Sequence, residues 1–401
     1  MRNRRFLAFL ALLLFPVAAQ ALTPVGAPLT LVKDGPCSFT PDVEVIATPK
    51  GAVDIIWVDD YNFDVKGQRF GRDLVATGAP VSLLILHGGL NVIQSVGTWA
   101  GRYELALNVL DFGEDPDDPE AAYRMSLDLD GNPIGEPGRF ETKNFLEIAP
   151  AAGGDSLQFR VEPPYYGPNT CRSRGLLASR IDPDGEPISA ESRVTRKASG
   201  WLGYLEVDRQ PNDTFVAAYA TCDKFTGVVA RRLNASGAPV GKPINLPFPN
   251  RIANIGGGRN LLLAVDGNDL AVASPITVDP TTGLVTVYTR AVSNGKVSAL
   301  HTLPIPAGFA AAAVLLDLEA SSTGSGYLLV FRASTSDRQT VFAQALDDQG
   351  APQGTPLLLA ENGVSAAIAS LPDGRWLVVT RAQTGTPDAC TEQLVGTVLA
   401  P

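Results

Sequence analysis

A seven-residue turn motif recurs along this chain and constrains its fold more than any other feature of the sequence. The motif has the pattern Gly-x-Pro-x-Gly-x-Pro and spans Gly131–Pro137, Gly237–Pro243 and Gly350–Pro356. Shorter copies, reduced to Gly-x-Pro, and one degenerate copy fill the remaining intervals, beginning at Gly26, Gly78, Gly185 and Asn294. The seven copies lie about 54 residues apart, and a fixed period of this length predicts stacked copies of one supersecondary unit.

Each unit is predicted to contain four antiparallel strands. In the last unit the first two strands are Val364–Leu371 and Arg375–Thr380, because a Pro-Asp-Gly turn signal separates them. A third strand leads into the Gly-x-Pro turn, and a short fourth strand follows it. In three copies this fourth strand carries Pro137, Pro243 or Pro356, and proline has no N–H to donate, so it belongs on a sheet edge. Four strands in about 54 residues are typical of a β-propeller blade.

The two ends of the chain are predicted to complete one blade together. The third strand of the last unit ends at Leu399, whereas Gly26–Val32 has the form of a turn and a fourth strand with no strands before it. We therefore predict one all-β domain over residues 22–401. It is a seven-bladed β-propeller of four-stranded antiparallel blades, with the last blade closed by the N-terminal strand. The alternative, an open solenoid of the same units, would leave an orphan strand at each end.

The repeat resembles those of secreted bacterial β-propellers of unassigned function. The resemblance rests on the Gly-x-Pro-Val turn that follows a strand ending in Gln68-Arg69-Phe70 or Ala230–Leu233. It covers nearly all of residues 22–401, but it concerns a turn, so it implies a shape and no activity. The His and Trp-Asp signatures of WD40 repeats and the Asp-box of sialidases are absent from the sequence.

The first 21 residues are typical of a signal peptide. Arg2, Arg4 and Arg5 form a basic start, Phe6–Ala19 is apolar, and Ala19–Ala21 has the small-x-small pattern that signal peptidase cleaves. This segment predicts a protein secreted to the medium or exported to the periplasm. After cleavage, no other run is long and apolar enough to span a membrane.

Composition excludes several classes of protein. With 45% hydrophobic residues the chain is too apolar for disorder, and 39 Gly and 31 Pro are typical of a protein rich in turns. The formal net charge is −10, which argues against a nucleic-acid partner, because phosphates require a basic surface.

The four cysteines are predicted to form two disulfides, as expected for an exported chain. Cys171 and Cys222 follow the second strands of consecutive blades, so their loops are neighbours. Cys390 lies in the equivalent loop of the last blade, and Cys37 follows the closing strand. We predict the pairs Cys171–Cys222 and Cys37–Cys390, of which the second would lock the ring.

Candidate ligand-binding residues lie in the loops after the second strands of three consecutive blades. They are acidic or aromatic and comprise Asp59, Asp60, Tyr61, Asp111, Asp115, Asp117, Asp118, Tyr165 and Tyr166. Three interpretations stay open for the acidic loops: solvated surface, attraction of a cationic partner, and a calcium site, since Ca²⁺ takes carboxylate oxygens. The two tyrosines either stack on a sugar or peptide ligand or pack their loop onto the blade.

The sequence gives no catalytic residue. His87 and His301 are predicted on outer strands, far from a central channel, and no nucleophile elbow or phosphate-binding loop is present. We therefore predict a binding or scaffold module for a protein, peptide or glycan ligand. One alternative is a carbohydrate-active enzyme, a glycoside hydrolase or lyase with acidic residues in the central funnel. Another is a structural envelope protein. Carboxylates that face each other at the axis would favour the enzyme.

Overall fold

The computed structural model describes residues 22–36, 43–48, 51–59, 64–85, 90–99, 102–110, 121–128, 133–141, 145–151, 155–161, 174–182, 185–198, 205–210, 212–221, 227–249, 260–279, 284–309, 313–324, 326–335, 338–385 and 390–401. All regular secondary structure in these residues is β, and they contain no helix. The predicted all-β class is confirmed. Accordingly, these ranges hold no helix long and apolar enough to cross a membrane.

Thirty strands follow one another along the described residues. The first fourteen are β1 (Thr23–Pro24), β2 (Leu29–Pro36), β3 (Val43–Ala47), β4 (Val53–Asp59), β5 (Asp64–Phe70), β6 (Val81–Ile85), β7 (Leu90–Trp99), β8 (Arg102–Leu110), β9 (Ala121–Asp128), β10 (Pro133–Glu141), β11 (Phe145–Pro150), β12 (Ser156–Val161), β13 (Arg174–Ile181) and β14 (Ser192–Ala198). The others are β15 (Leu205–Arg209), β16 (Phe215–Ala220), β17 (Gly227–Leu233), β18 (Pro239–Pro247), β19 (Leu262–Asp266), β20 (Asp269–Asp279), β21 (Leu284–Ser293), β22 (Lys296–Val297), β23 (His301–Thr302), β24 (Ala313–Ala320), β25 (Tyr327–Ser334), β26 (Gln339–Leu346), β27 (Pro352–Glu361), β28 (Gly363–Ser370), β29 (Trp376–Thr384) and β30 (Thr391–Ala400).

These strands form antiparallel sheets in which chain neighbours are also spatial neighbours. Sheets 1 to 4 are β3–β6, β7–β10, β11–β14 and β15–β18, and sheet 6 is β24–β27. Sheet 5 is β19–β23, where two short strands, β22 and β23, share the outer edge against β21. Sheet 7 is β28–β30 with β1 and β2. The predicted repeat of four-stranded antiparallel units is confirmed.

The sheets pack face to face in chain order. The first strand of each sheet contacts the first strand of the next, and β28 of sheet 7 also contacts β3 of sheet 1. Each described core cluster lies between two such sheets. Between sheets 7 and 1, for example, Leu377 and Val379 pack with Trp57 and Phe70. Burial of these faces is the main favourable free energy of the arrangement.

Both N-terminal strands pair with the last strand of the chain. Pro24 of β1 lies opposite Leu399, and Leu29 and Pro36 of β2 lie opposite Gly396 and Thr391. The edge of sheet 7 is therefore made by residues near the start of the described chain. Leu22 extends this contact, because its buried side chain belongs to the core between sheets 6 and 7.

A buried ion pair joins sheet 7 to sheet 1. The guanidinium of Arg381 on β29 pairs with the carboxylate of Glu392 on β30, and their side chains are 5% and 4% exposed. A second guanidinium nitrogen of Arg381 donates to the carbonyl oxygen of Val58 on β4 at 3.0 Å. Gln383 donates to the other carboxylate oxygen of Glu392 at 2.8 Å. The guanidinium of Arg381 thus has hydrogen-bond partners in both sheets, and the carboxylate of Glu392 has partners within sheet 7.

The first glycine of the repeated motif has two physical reasons to be glycine. Gly237 and Gly350 adopt φ of 82° and 74°, a region that residues with a Cβ rarely enter. Each also lies against the preceding sheet. A Cβ on Gly237 would lie 2.8 Å from the Leu157 side chain, and one on Gly350 would lie 3.2 Å from the backbone of Arg290. The glycine therefore serves both the turn and the packing between sheets.

The residue three positions before this glycine caps the turn. The Oδ1 atom of Asn234 accepts hydrogen bonds from the N–H groups of Ser236 and Ala238 at 3.1 and 2.9 Å. Asp347 does the same for the next-but-one copy, accepting from Ala351 N–H at 2.9 Å. Asp and Asn are favoured at this place because their short side chains satisfy backbone donors of a turn.

The second glycine of the motif forms a bulge in the outer strand. Gly135, Gly241 and Gly354 all have positive φ, between 67° and 78°. In β18, Val240 lies opposite Arg232 and Ile244 lies opposite Ala230, so three residues on the outer strand face one residue on β17. The second proline of each full motif, Pro137, Pro243 or Pro356, lies inside such an irregular stretch, where the missing N–H costs no ladder hydrogen bond.

Gly26 occupies the bulge position rather than the predicted turn position. Pro24 lies opposite Leu399 just as Pro239 lies opposite Leu233. Gly26 therefore corresponds to Gly241, the bulge glycine that lies two residues after Pro239. Its φ of 84° and the open space around its Cα agree with this place.

Gly78 is displaced in the same way. The turn of sheet 1 runs from Gly71 to Val75, where the Gly71 N–H donates to the Val75 carbonyl at 2.8 Å. Leu74, with φ of 58°, occupies the place that glycine fills in sheets 4 and 6. The predicted alignment of Gly26 and Gly78 is thus wrong by four residues, because Gly-x-Pro occurs twice in the full motif.

Candidate functional site

The loops predicted to bind a ligand begin where the second strands end. In sheets 1, 2 and 3 these strands end at Asp59, Leu110 and Val161. Asp59 lies opposite Asp64 at the end of the β4–β5 ladder, and the Ser82 hydroxyl donates to Asp64 at 2.5 Å. The other predicted residues, Asp60, Tyr61, Asp111, Asp115, Asp117, Asp118, Tyr165 and Tyr166, lie outside the described residues. The loop site therefore stays a prediction.

One of the four cysteines lies in the described residues. Cys390 directly precedes β30 and is disulfide-bonded. Cys37, Cys171 and Cys222 lie outside the described ranges, so the two predicted pairs stay predictions. The strand register bears on one of them, because Pro36 lies opposite Thr391. The described ladder thus ends at the residues next to the two cysteines of the predicted Cys37–Cys390 pair.

His301 lies on the outer edge of sheet 5, where β23 pairs with β21. This agrees with its predicted place on an outer strand. His87 lies outside the described residues. Among the described residues, no group of three His, Cys, Asp or Glu side chains has an arrangement suited to a metal ion.

Acidic side chains recur on the first strands of the sheets, which the sequence analysis did not single out. These inner carboxylates are Glu44 on β3, Glu147 on β11, Glu206 and Asp208 on β15, and Asp317 and Glu319 on β24. They alternate with apolar residues, as in Leu205–Asp208, so they share one face of each strand. The apolar residues between them, such as Val207, pack against the preceding sheet. The carboxylates therefore face the following sheet.

Three inner carboxylates bind the first strand of the next sheet. In each case a backbone N–H of the following sheet donates to the carboxylate: Val207 to Glu147 at 3.0 Å, Val265 to Asp208 at 2.9 Å, and Ile368 to Asp317 at 2.7 Å. Hydrogen bonds to a charged acceptor are stronger than neutral ones. These carboxylates consequently hold neighbouring sheets in register near the innermost strands.

Glu319 differs from these three carboxylates. It enters none of the hydrogen bonds among the described residues, and it is partly exposed. The protein packed around Glu319 removes water from its carboxyl, and this desolvation raises the pKa of the carboxyl well above the ordinary value. The negative charges of Asp317, Asp208 and Glu44 raise the pKa further. The surroundings of Glu319 therefore favour the neutral form of its carboxyl over the ionised form.

Asp208 occupies the same register position in sheet 4 that Glu319 has in sheet 6. Burial raises the pKa of Asp208 from 3.8 to about 7, although hydrogen bonds from the N–H groups of Val265 and Arg209 lower it, and the charge of Glu206 adds to the rise. Burial thus raises the pKa of two carboxyls on the inner strands. Perturbed acids of this kind are more frequent at functional sites than elsewhere.

The charges that act on Glu319 come from sheets that are not neighbours. Glu44 belongs to sheet 1, Asp208 to sheet 4 and Asp317 to sheet 6. Such groups influence one another only when the first strands converge around a shared space. The inner strands therefore bring together acids that are up to 275 residues apart in the sequence.

The sequence carried a signal for these residues. Leu205–Asp208 and Leu316–Glu319 both read apolar-acidic-apolar-acidic, which is unusual for the innermost strand of a packed sheet. Loops outweigh such a pattern in a prediction from sequence, because binding residues are found there disproportionately.

Comparison with known proteins gives a fold and no family. No family model matches the chain, and no curated protein matches it. Among solved structures, an ulvan lyase of a polysaccharide lyase family bound to a GlcA–Rha3S ligand matches with a TM-score of 0.51 at 10% identity, covering 92% of this chain and 95% of that one. A protein of unknown function from Dyadobacter fermentans matches at 11% identity, covering 94% and 99%, with a TM-score of 0.46.

A prolyl endopeptidase also matches, at 13% identity and a TM-score of 0.47. The match covers 88% of this chain and 46% of the peptidase, so the chain spans about half the length of that protein. At these identities the comparisons bear on architecture and not on activity. With its antiparallel four-stranded sheets packed in chain order and its likeness to the lyase, the chain has a β-propeller-type fold.

Proposed function

We propose that this protein is an exported, seven-bladed β-propeller that acts as a binding module, and that its inner carboxylates bind a cationic group. A closed ring is supported by the contact of β28 with β3, by the core between sheets 7 and 1, and by the pairing of β2 with β30. The observation that carries the binding role is the convergence on Glu319 of negative charges from sheets 1, 4 and 6.

A cationic ligand suits this site because like charges are already concentrated there. Bringing a positive group close to Glu319 and Asp208 would favour their ionised forms. Binding would then release protons, and affinity would rise with pH until both groups are ionised in the free protein. The formal net charge of −10 adds a long-range attraction for cations, which salt screens.

The test measures binding of spermidine and of an oligolysine peptide by calorimetry over pH 5 to 9, with a neutral oligosaccharide as comparison. We expect affinity for the two cations to rise with pH and to fall with salt. Glu319→Gln should weaken binding by about tenfold and flatten the pH dependence, since one buried charge interaction is worth about 1–2 kcal/mol.

Glu361→Gln provides the matched control, because Glu361 lies on the outer strand β27 with its side chain 63% exposed. It removes the same formal charge without touching the inner strands. Equal affinities of the two variants, or absence of binding of either cation to the unmodified protein, would show that the inner carboxylates are not a cation site.

A second function, that of a carbohydrate-active enzyme, is favoured by the contrast between Glu319 and Asp317. The pKa of Glu319 is raised well above its ordinary value, whereas Asp317 accepts hydrogen bonds from Ile368 N–H and from its neighbour Leu318 N–H. Acid–base catalysis on a glycosidic bond uses two carboxyls whose environments differ in this way. Reducing-end and ultraviolet assays on a polysaccharide panel test this: activity that Glu319→Gln lowers by about 10²-fold or more would establish it.

The predicted loop residues are proposed as a separate binding region. First strands end where second strands begin, so Glu319, near the end of β24, lies toward the face opposite the loops that follow β4, β8 and β12. Replacing residues 111–120 with a neutral Gly/Ser loop, and Tyr165 and Tyr166 with Ala, separates the two regions. Loss of ligand binding in these variants with normal behaviour of Glu319→Gln would place the ligand on the loops. A calcium-dependent rise in melting temperature that the loop replacement abolishes would identify calcium there.

A further inference from the structure

A cleft lies between sheets 3 and 4, away from the inner carboxylates. Its volume is about 400 Å³. One wall is strand β14 of sheet 3, and the other is formed by β16, β17 and β18 of sheet 4. Its polar lining residues are Thr195, Tyr219, Thr221, Arg231 and Asn245. This size and this mixture of apolar and polar walls are typical of small-molecule sites.

Arg231 brings to this cleft a positive charge that no ion pair among the described residues compensates. Its Nε is buried and has no hydrogen-bond partner, and none of the ion pairs among the described residues includes Arg231. Its neighbour Arg232 instead donates to the carbonyl oxygens of Gly267 and Asn268, at 3.4 and 2.6 Å. The Nε atom is out of reach of solvent, so an anion in the cleft would meet the charge of Arg231 at the terminal nitrogens of its guanidinium.

The other lining residues of the cleft indicate which chemical groups the rest of the ligand carries. The Tyr219 hydroxyl is hydrogen-bonded to Thr195, and Thr221 and Asn245 add further polar groups on the sheet 4 side. Val194, Val229, Pro243 and Pro247 give the cleft apolar surface. Hydroxyls and an amide suit hydroxyl or amide groups on a ligand, and a guanidinium suits a carboxylate in bidentate geometry.

We propose that the cleft between sheets 3 and 4 binds a small carboxylate-bearing molecule, with Arg231 holding the carboxylate and Thr195, Tyr219, Thr221 and Asn245 contacting its polar body. A sugar acid and an acidic amino-acid derivative both have this chemistry. The site is independent of the cation site, because it lies between other strands and has the opposite charge preference.

The probes are two matched pairs, galacturonate with galactose and N-acetylglutamate with N-acetylglutamine, measured by ligand-observed NMR and calorimetry on the full chain. We expect the carboxylate of at least one pair to bind and its neutral partner to bind at least tenfold more weakly. Which pair shows the difference distinguishes a sugar acid from an amino-acid source. Absence of binding of both carboxylates overturns the proposal.

Arg231→Gln should reduce affinity for the carboxylate by about ten- to a hundredfold. Arg232→Gln is the matched control, since it removes the same charge from the next residue of β17 and should leave the affinity unchanged. Ligand-free stability gives a second readout. Arg231→Gln removes no hydrogen bond to a residue that the structure describes and should leave the melting temperature unchanged or raised. If it unfolds the protein or lowers affinity no more than Arg232→Gln, then Arg231 is structural and the assignment is wrong.

Discussion

At the scale of single residues, the repeated motif holds two glycines with different tasks. Gly350 has a positive φ and lies against the backbone of the preceding sheet, whereas Gly241 has a positive φ and open space around it. One position is constrained by conformation and packing together, and the other by conformation alone. An alanine at either position adds one methyl group, so comparing the two variants separates the cost of the conformation from the cost of the packing.

Gly350→Ala is expected to destabilise the protein more than Gly241→Ala. Both variants force a Cβ into a left-handed conformation, at a cost of about 1–2 kcal/mol. In Gly350→Ala the methyl also meets the backbone of Arg290 and Ala291 at 3.2 Å, which adds about 1–3 kcal/mol. Urea unfolding of both variants checks this. Equal losses of unfolding free energy in the two variants would mean that contact with the neighbouring sheet adds no cost at Gly350.

Asp208 makes stability depend on pH in a direction opposite to that of an ordinary ion-paired carboxylate. Its folded-state pKa of about 7 lies above the ordinary value of 3.8, so between these values the folded state binds more protons than the unfolded one. Its contribution is fully present below about pH 4 and is lost as pH rises toward 7. The upper limit of this loss is about 4 kcal/mol, at about 1.4 kcal/mol per pKa unit.

Asp208→Asn should remove this dependence, because the amide does not titrate and its oxygen still accepts from Val265 N–H. Chemical unfolding at pH 5 and pH 8 measures the difference between the variant and the unmodified protein. We expect the variant to gain stability relative to the unmodified protein at pH 8. A difference that stays constant between the two pH values would show that Asp208 titrates normally.

At the scale of elements, the boundary between sheets 7 and 1 depends on a buried ion pair. Arg381 links Glu392 within sheet 7 to the Val58 carbonyl in sheet 1. Such a pair is not by itself strong evidence of net stabilisation, but removing one partner leaves the other buried and uncompensated. The pair therefore makes the boundary sensitive to single substitutions.

Arg381→Met should lower the free energy of unfolding by about 3–5 kcal/mol. The double variant Arg381→Met/Glu392→Leu should recover part of this loss, because no charge is then left unpaired. Arg338→Met is the control, since the Arg338–Glu361 pair is 49% and 63% exposed and should contribute less than about 1 kcal/mol. If the double variant is no more stable than Arg381→Met, the loss comes from packing rather than charge.

Strand positions could be predicted from the sequence because their signals are local. Alternation of apolar residues and the Pro-Asp-Gly turn signal predict strands at Val364–Leu371 and Arg375–Thr380, and the structure has β28 at Gly363–Ser370 and β29 at Trp376–Thr384. The inner carboxylates could not be placed together in the same way, because Glu44, Asp208 and Glu319 converge only through the packing of distant sheets. The alignment of Gly78 failed for a local reason, since two similar tripeptides in one motif cannot be told apart by spacing alone.

At the scale of the whole molecule, the proposed ring has one seam. It consists of the ladder between β2 and β30, the core shared by sheets 7 and 1, and the Arg381 link. Because Pro36 lies opposite Thr391, the predicted Cys37–Cys390 bond would lie directly at the end of this ladder.

Non-reducing peptide mapping is expected to join Cys37 to Cys390 and Cys171 to Cys222. Loss of the first bond in Cys37→Ser/Cys390→Ser should lower the melting temperature more than Cys171→Ser/Cys222→Ser, because the closed loop is longer. The chain-entropy limit for the longer loop is about 6 kcal/mol, which residual structure in the unfolded chain reduces. A peptide joining Cys37 to Cys171 would contradict both the pairing and the order of the sheets.

The pairing of β2 with β30 also has a kinetic consequence. Pro36 and Thr391 meet across the ladder although they are 355 residues apart in the chain, and contacts of such large sequence separation form slowly. During synthesis sheets 1 to 6 can assemble as soon as their own strands emerge, whereas sheet 7 must wait for the final ten-residue strand. Until then β2 is an exposed edge that can pair with another chain. The last folding step is therefore also the step at which two nascent copies are most able to exchange strands.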